Sequence, residues 1–212
     1  GASTTGISIS ELTGIGLISA TSVSNANGPI PFIVVNSLPG SLTLDIVNST
    51  FTVGNPIGNA ATNIRTQGSA VAVVNVEGSS FTNSGRGITA SAENTSSLDL
   101  NISASSTFSN NQYGLNIWQA DAATFKYDIQ DSFILSNSSY GVYGVSTAAT
   151  DPSGEFTGQI LNAEVTGSPD GIFVFFQGDA GGYARFQGNI IDPTNGQGIK
   201  VQAGTALAGG SA

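Results

Sequence analysis

The chain has 212 residues, is 39% hydrophobic and only 9% charged, and carries a formal net charge of −9 with five Lys+Arg against fourteen Asp+Glu. That size buries a real core in one domain, and the sparse charge leaves the surface to Ser, Thr, Asn, Gln and Gly, as expected of a secreted or cell-surface β protein. The acidic balance disfavours a phosphate-backbone binder, and the absence of Cys and His excludes disulfides, thiolate or imidazole metal sites, Ser-His-Asp triads and cysteine nucleophiles.

In chain order, the first segment is irregular. Residues 1–40 hold a degenerate copy of the later pattern over 6–29, "GISISELTGIGLISATSVSNANGP", followed by "PIPFIVV" at 29–35. From residue 41 to 202 alternating apolar runs recur: Leu42, Leu44, Ile46; then Val71, Val73 beside Val74, and Val76; then Leu98, Leu100, Ile102; then Phe125, Tyr127, Ile129. Each run leads to a large apolar residue before a turn, at Phe51, Phe81, Phe108, Phe133, Val165 and Ile191. A Gly follows the turn at Gly58, Gly87, Gly114, Gly141, Gly171 and Gly198, spaced 27 to 30 residues apart. Three residues before each Gly stands Asn55, Ser84, Asn111, Ser138, Ser168 or Asn195. After it the alternation resumes, with Ile88 and Ala90, Leu115 and Ile117, Val142 and Gly144, Ile172 and Val174, Ile199 and Val201 facing one way.

Period-2 runs punctuated by Asn, Gly and Ser are strands and tight turns, and a period near 27 residues holds three short strands, one coil of a parallel β-helix. The expected fold is therefore all-β, a parallel β-helix of about seven coils of 27–30 residues, roughly 30–35 Å tall at the ~4.8 Å strand spacing. One domain spans 1–212, with a tail at 203–212. Stacking superimposes like on like, so Phe51, Phe81, Phe108 and Phe133 are expected to form an internal ladder. The Asn/Ser column satisfies turn backbone groups, and the Gly column supplies either a positive φ or a close backbone approach.

The pattern G-S/T-x-F-x-N/S-x-x-x-G-I/L/V resembles the right-handed parallel β-helix repeats of the pectate-lyase-like superfamily, in the versions found in large bacterial surface and secreted proteins. The resemblance covers about 41–202 and implies right-handed coils and a secreted or surface-exposed, prokaryotic protein. That superfamily holds lyases, hydrolases, adhesins and non-catalytic surface repeats alike, so the fold does not choose among them.

The lyases of the superfamily need clustered basic residues, whereas the whole basic inventory here is Arg65, Arg86, Lys126, Arg185 and Lys200, scattered along the chain. Its hydrolases use clustered Asp; here Asp99, Asp128 and Glu155 fall near strand starts in successive coils and Asp131 follows Asp128, with no visible acid–base asymmetry. No catalytic residue and no cofactor are assigned. Oxygen ligands for Ca²⁺ are present in "TDPSGE" (150–155), "SPDG" (168–171) and "GDAGG" (178–182), none with the spacing of a known calcium loop. No apolar run reaches 18 residues, so no membrane insertion by a helix is expected. The chain opens at Gly1 and contains no Met, which reads as a processed product or a piece of a longer protein.

Two features remain for function. Outward positions after the Gly bring Trp118, Tyr143, Phe173 and Phe175 onto one outer face, suited to a covering loop such as 29–35, a second subunit or a sugar. The ends are the other. Ile7, Ile9 and Leu12 in the first coil and Ile199, Val201 and Leu207 in the last have no charged or helical cap beside them, and open, similar ends invite head-to-tail stacking. The expected function is a non-catalytic extracellular structural protein whose partner is another copy of itself in a filament or sheath-like layer. A carbohydrate-binding or adhesive module is the alternative, and a polysaccharide-active enzyme the third reading. Nucleic acid is not an expected partner.

Overall fold

The computed structural model describes residues 6–25, 32–53, 60–148, 154–178 and 181–204. The first three coils are β1 (Ile7–Ser10), β2 (Gly14–Ser19) and β3 (Ser22–Asn25); β4 (Phe32–Asn36), β5 (Gly40–Val47) and β6 (Thr50–Val53); β7 (Ala60–Thr66), β8 (Ala70–Glu77) and β9 (Ser80–Thr82). The next two are β10 (Arg86–Ala92), β11 (Ser97–Ser103) and β12 (Thr107–Ser109); β13 (Tyr113–Ala120), β14 (Thr124–Gln130) and β15 (Phe133–Leu135). The last two are β16 (Tyr140–Ala148), β17 (Glu155–Leu161) and β18 (Glu164–Thr166); β19 (Asp170–Gly178), β20 (Gly181–Gln187) and β21 (Ile190–Asp192); β22 (Ile199–Gly204) opens an eighth. Every third strand pairs in parallel, giving three sheets: A (β1, β4, β7, β10, β13, β16, β19, β22), B (β2 through β20) and C (β3 through β21). The fold is an all-β parallel solenoid of about seven coils.

Most described corners of the coil are turned by residues in the left-handed region. Between sheets B and C these are Ala20, Asn48, Gly78, Ala104 with Ser105, Asp131, Asn162 and Gly188; between C and A, Asn83, Asn110, Ser136 and Gly167, with none in the corner before β22; between A and B, Glu11, Gly68, Asn94 and Asp121. Asn, Asp and Gly tolerate this conformation best, which is why the sequence is punctuated by them. The repeating Gly column does something different. Gly87, Gly114, Gly141 and Gly171 have no positive φ. A Cβ on Gly114 would stand 2.6 Å from the Gly141 carbonyl oxygen and 2.6 Å from Ile134, and one on Gly171 2.4 Å from the Gly198 oxygen. Close approach between coils is thus the reason for these glycines. Gly58 and Asn55 lie outside the described residues.

The core fills the interior as columns. Phe32, Phe51, Phe81 and Phe108 are fully buried and stacked, with ring centroids 5.1–5.3 Å apart. Phe133 does not join them. Register sets Ile134 beside Phe108, and Phe133 beside Thr107 and Glu164 on the outer surface, where it is 37% exposed. The reason is a small residue two positions before each inward apolar one: Ser49, Ser79, Ser106, Ser132 and Ala163, all buried. Counted from Ser132, alternation turns Ile134 inward. Sheet B needs a similar correction, since Ala72, Val74 and Val76 face inward while Val71 is exposed and Val73 half-buried. Deeper in the core Tyr127 stacks between Leu100 and Gly158 in register; the missing side chain at Gly158, whose Cβ would lie 2.4 Å from the Tyr127 ring, makes room for it.

Polar ladders hold the corners. The Ser49 and Ser79 amides donate to the hydroxyls of Ser79 and Ser106 at 3.0 and 3.3 Å. Asn111 accepts on Oδ1 from the Ser84 amide and hydroxyl at 3.0 and 2.7 Å and donates to the Phe81 carbonyl at 3.1 Å. Asn137 repeats this one coil on, accepting from the Asn111 amide at 3.1 Å and donating to the Phe108 carbonyl at 3.2 Å. Asn137, not the expected Ser138, occupies this column, because the corner before Gly141 is one residue longer than its neighbours.

Candidate functional surfaces

The expected aromatic face lies on the outer side of sheet A. Register aligns Thr89, Asn116, Tyr143, Phe173 and Lys200 in one column, and Ser91, Trp118, Val145, Phe175 and Gln202 in the next. Trp118 and Tyr143 are half-buried. Phe173 and Phe175 are 6% and 3% exposed, so they are covered rather than open. Parallel register at strand spacing is the cause: it sets Phe173 between the Tyr143 ring and Lys200, and Phe175 between Val145 and Gln202. The Tyr143 and Phe173 rings stack at 5.3 Å, Phe175 lies 6.2 Å from Phe173, and the Lys200 ammonium sits 5.1 Å from the Phe173 centroid. The described part of the segment "PIPFIVV", residues 32–35, does not cover this face: it belongs to β4, a core strand, with Phe32 and Val34 buried; residues 29–31 lie outside the described residues.

A third outer column was missed by alternation alone. Arg86, Tyr113, Tyr140 and Asp170 are in register, and the following glycine has no register partner, so alternation breaks there: the residue before it faces outward while the one after it, Ile88, Leu115, Val142 or Ile172, is buried. Tyr113 and Tyr140 stack at 5.7 Å, Tyr140 and Tyr143 meet at 5.2 Å, and the Arg86 guanidinium stands 5.8 Å from the Tyr113 ring. The five rings Tyr113, Tyr140, Tyr143, Phe173 and Phe175 form one cluster with a cation at each end. Burial first, then the neighbouring Asp170 carboxylate and the other two tyrosines, push the Tyr140 hydroxyl above its ordinary pKa, so it stays a proton donor at neutral pH.

Between Tyr140 and Phe173 opens a cavity of about 270 Å³, lined also by Asp170, Ile172, Gln197 and Lys200. Asp170 is fixed in it: its Oδ1 accepts from the Gln197 amide at 2.8 Å, and a Cβ on Gly196 would stand 2.0 Å from that oxygen. Of the segments offering oxygen ligands, "SPDG" therefore uses its carboxylate to tie down the 196–197 loop. Residues 150–153 and 179–180 of the other two lie outside the described residues, and among those described no group of three or more acidic side chains is gathered as a metal site.

The carboxylates singled out in the sequence do not converge. Asp99 is in register with Lys126, Asp128 with Asn101 and Gln159, and Glu155 with Thr124. Asp131 turns a corner, with φ 45°. The remaining cations are likewise dispersed: Lys126 and Arg185 lie on the outside of sheet B, while Arg65 pairs with Glu93 on sheet A.

That pair is a fork. Arg65 Nε and Nη2 donate to the two Glu93 oxygens at 2.6 and 2.7 Å, and Gln67 adds a bond at 2.9 Å. Burial opposes ionisation of Glu93, but the Arg65 and Gln67 hydrogen bonds and the Arg65 charge outweigh it and hold its pKa below the ordinary carboxylate value. A depressed folded-state pKa stabilises above the unfolded value near 4.3 and is lost as pH falls through the folded one. Glu93→Gln is thus expected to lower stability at pH 7 by about 1 kcal/mol, a modest figure because Arg65 is half-exposed, and to cost less at pH 3. Urea unfolding at the two pH values checks it.

Among the described residues, apolar side chains of the two end strands of sheet A are partly or largely exposed. Ile199 and Val201 are 45% and 53% exposed, although their register partners one coil inward, Ile172 and Val174, are buried. Ile7 and Ile9 pair with the buried Phe32 and Val34 and are half-covered, and Leu12 is exposed. Ile15 and Leu17 beside them face outward and are also exposed, in register with Thr43 and Asp45. Leu207 lies outside the described residues. No protein-family model matches this chain, and no curated protein or solved structure is significantly similar to it.

Proposed function

We propose that this chain is a non-catalytic structural module of a secreted or surface-exposed prokaryotic protein, and that it associates end to end with further copies into a filament or sheath-like layer. The observation that carries this reading is that, among the described residues, nothing covers the interior apolar columns at either end. Inward side chains of the last described coil are half-exposed, and the outermost strand of every sheet has no further described strand beside it. Such edges are normally covered, and a second copy covers them by continuing the ladders already present. The low charge, the Ser/Thr/Asn-rich surface and the resemblance to surface β-helix repeats support the location.

Among the described residues sheet A has eight strands and sheets B and C seven, so the last described coil ends in a step one strand high. A junction that pairs β1 of the next copy with β22 leaves one strand position in each of B and C to be filled, either by the next copy or by residues 205–212. At high concentration the protein is expected to form filaments with an axial repeat of about 38 Å, eight strand positions of sheet A at ~4.8 Å each, seen by negative-stain electron microscopy. Val201→Lys, which sets a charge on the open interior column, should leave it monomeric. A wild-type chain that stays monomeric at millimolar concentration refutes end-to-end assembly. Removing 205–212 should abolish filaments if that segment fills the step and leave them unchanged if the next copy does.

A further inference from the structure

The cavity between Tyr140 and Phe173 goes beyond this structural role and does not depend on it. We infer that it is a binding site for a single neutral hexopyranose ring, as carried by a polysaccharide.

Size is the first ground. At about 270 Å³ the cavity falls just below the range of roughly 300–1,000 Å³ that holds drug-sized ligands, which suits one ring with neighbouring residues of a chain extending into solvent. The lining is the second. Two aromatic rings line it, the half-buried Tyr140 and the covered Phe173, whose centroids are 5.9 Å apart and inclined at 40°, and the exposed part of Tyr140 offers apolar surface to the C–H face of a pyranose. Around them stand the groups that hydroxyls require: an acceptor at Asp170, donors at Lys200 and the Tyr140 hydroxyl, and both at the Gln197 amide.

Preorganisation is the third ground. Asp170 is held through Oδ1 by the Gln197 amide, and its other oxygen has no hydrogen bond to a described residue. Its loop is pinned by backbone bonds from Gly196 to Pro169, from Gly171 to Gln197 and from Ile172 to Gly198, at 2.8–2.9 Å. Lys200 forms no salt bridge with a described residue and instead sits over Phe173. A carboxylate and an ammonium in one small cavity without pairing to each other leave both for a ligand. The mixed charge and the overall charge of −9 favour a neutral sugar over a uronic acid.

Saturation-transfer NMR with methyl glucoside, methyl galactoside and methyl mannoside tests this on the intact chain. Transfer to the ring protons of at least one is expected, with a Kd on the order of 1 mM for so small a ligand, and at least a fivefold loss of affinity in both Asp170→Asn and Lys200→Ala. Asp170→Asn keeps the Gln197 bond and Lys200 is exposed, so both variants should fold, which circular dichroism confirms. No transfer to any of the three sugars overturns the assignment. So does transfer that is undiminished in the two variants, which places the sugar elsewhere, and so does binding restricted to methyl glucuronide.

Discussion

Phe108→Ala is expected to destabilise the protein by about 3–5 kcal/mol, the range for emptying a buried aromatic position, whereas Phe133→Ala should cost less than about 1 kcal/mol. The two residues occupy the same place in the repeating pattern, yet Phe108 is fully buried in a stack with Phe81 at 5.1 Å, and Phe133 lies on the outer surface with Ile134 in the column behind it. Phe108 has coils packed above and below, so the surroundings cannot collapse into the space its ring leaves. Urea unfolding of the pair reads the difference directly. Equal losses would show that coil five is held in the other register.

Asn111→Ala is expected to cost about 2–4 kcal/mol. The side chain satisfies the Ser84 amide, the Ser84 hydroxyl and the Phe81 carbonyl in a buried corner, and each group left without a partner there costs about 1–3 kcal/mol before relaxation. Its neighbour supplies the control. Asn110 is exposed with φ 57°, so Asn110→Ala loses only compatibility with the left-handed region, about 1 kcal/mol, and Asn110→Gly should be neutral or mildly stabilising. Hydrogen exchange at the Ser84 amide adds a local readout: protection should fall in Asn111→Ala more than global stability does. If Asn111→Ala matches Asn110→Ala in both measures, the amide ladder contributes nothing beyond its corner.

Asn137 belongs to the same ladder and stands in an Asn-Ser-Ser sequon, one of four with Asn48, Asn94 and Asn101. Its buried amide donates to Phe108, so this sequon is closed to modification in the folded chain. Asn48 and Asn94 are exposed corner residues with positive φ. A sequon therefore carries different meanings at different points of one coil.

The open ends and the aromatic cluster are related through β22. Lys200, over the Phe173 ring, lies between Ile199 and Val201 on the last strand of sheet A. Its neighbours face the open interior while it faces outward, so a copy stacked on β22 covers the apolar pair and leaves the ammonium on the outer surface.

The period near 27 residues, three strands per coil, the parallel stacking and most inward positions were legible in the sequence, because alternation and turn chemistry are local properties that each repeat states again. The covering of Phe173 and Phe175, the outer Tyr113–Tyr140 column, and the exchange of Phe133 for Ile134 and of Ser138 for Asn137 were decided only by tertiary structure. Strand alternation has a period of two, so one extra corner residue, or one glycine left out of the pairing, turns every following side chain to the opposite face. Counting from the repeated Gly carried that error across the longer corner at 137–141. Only hydrogen bonding to the coils above and below, which fixes each strand by its neighbours rather than by its own sequence, corrects it.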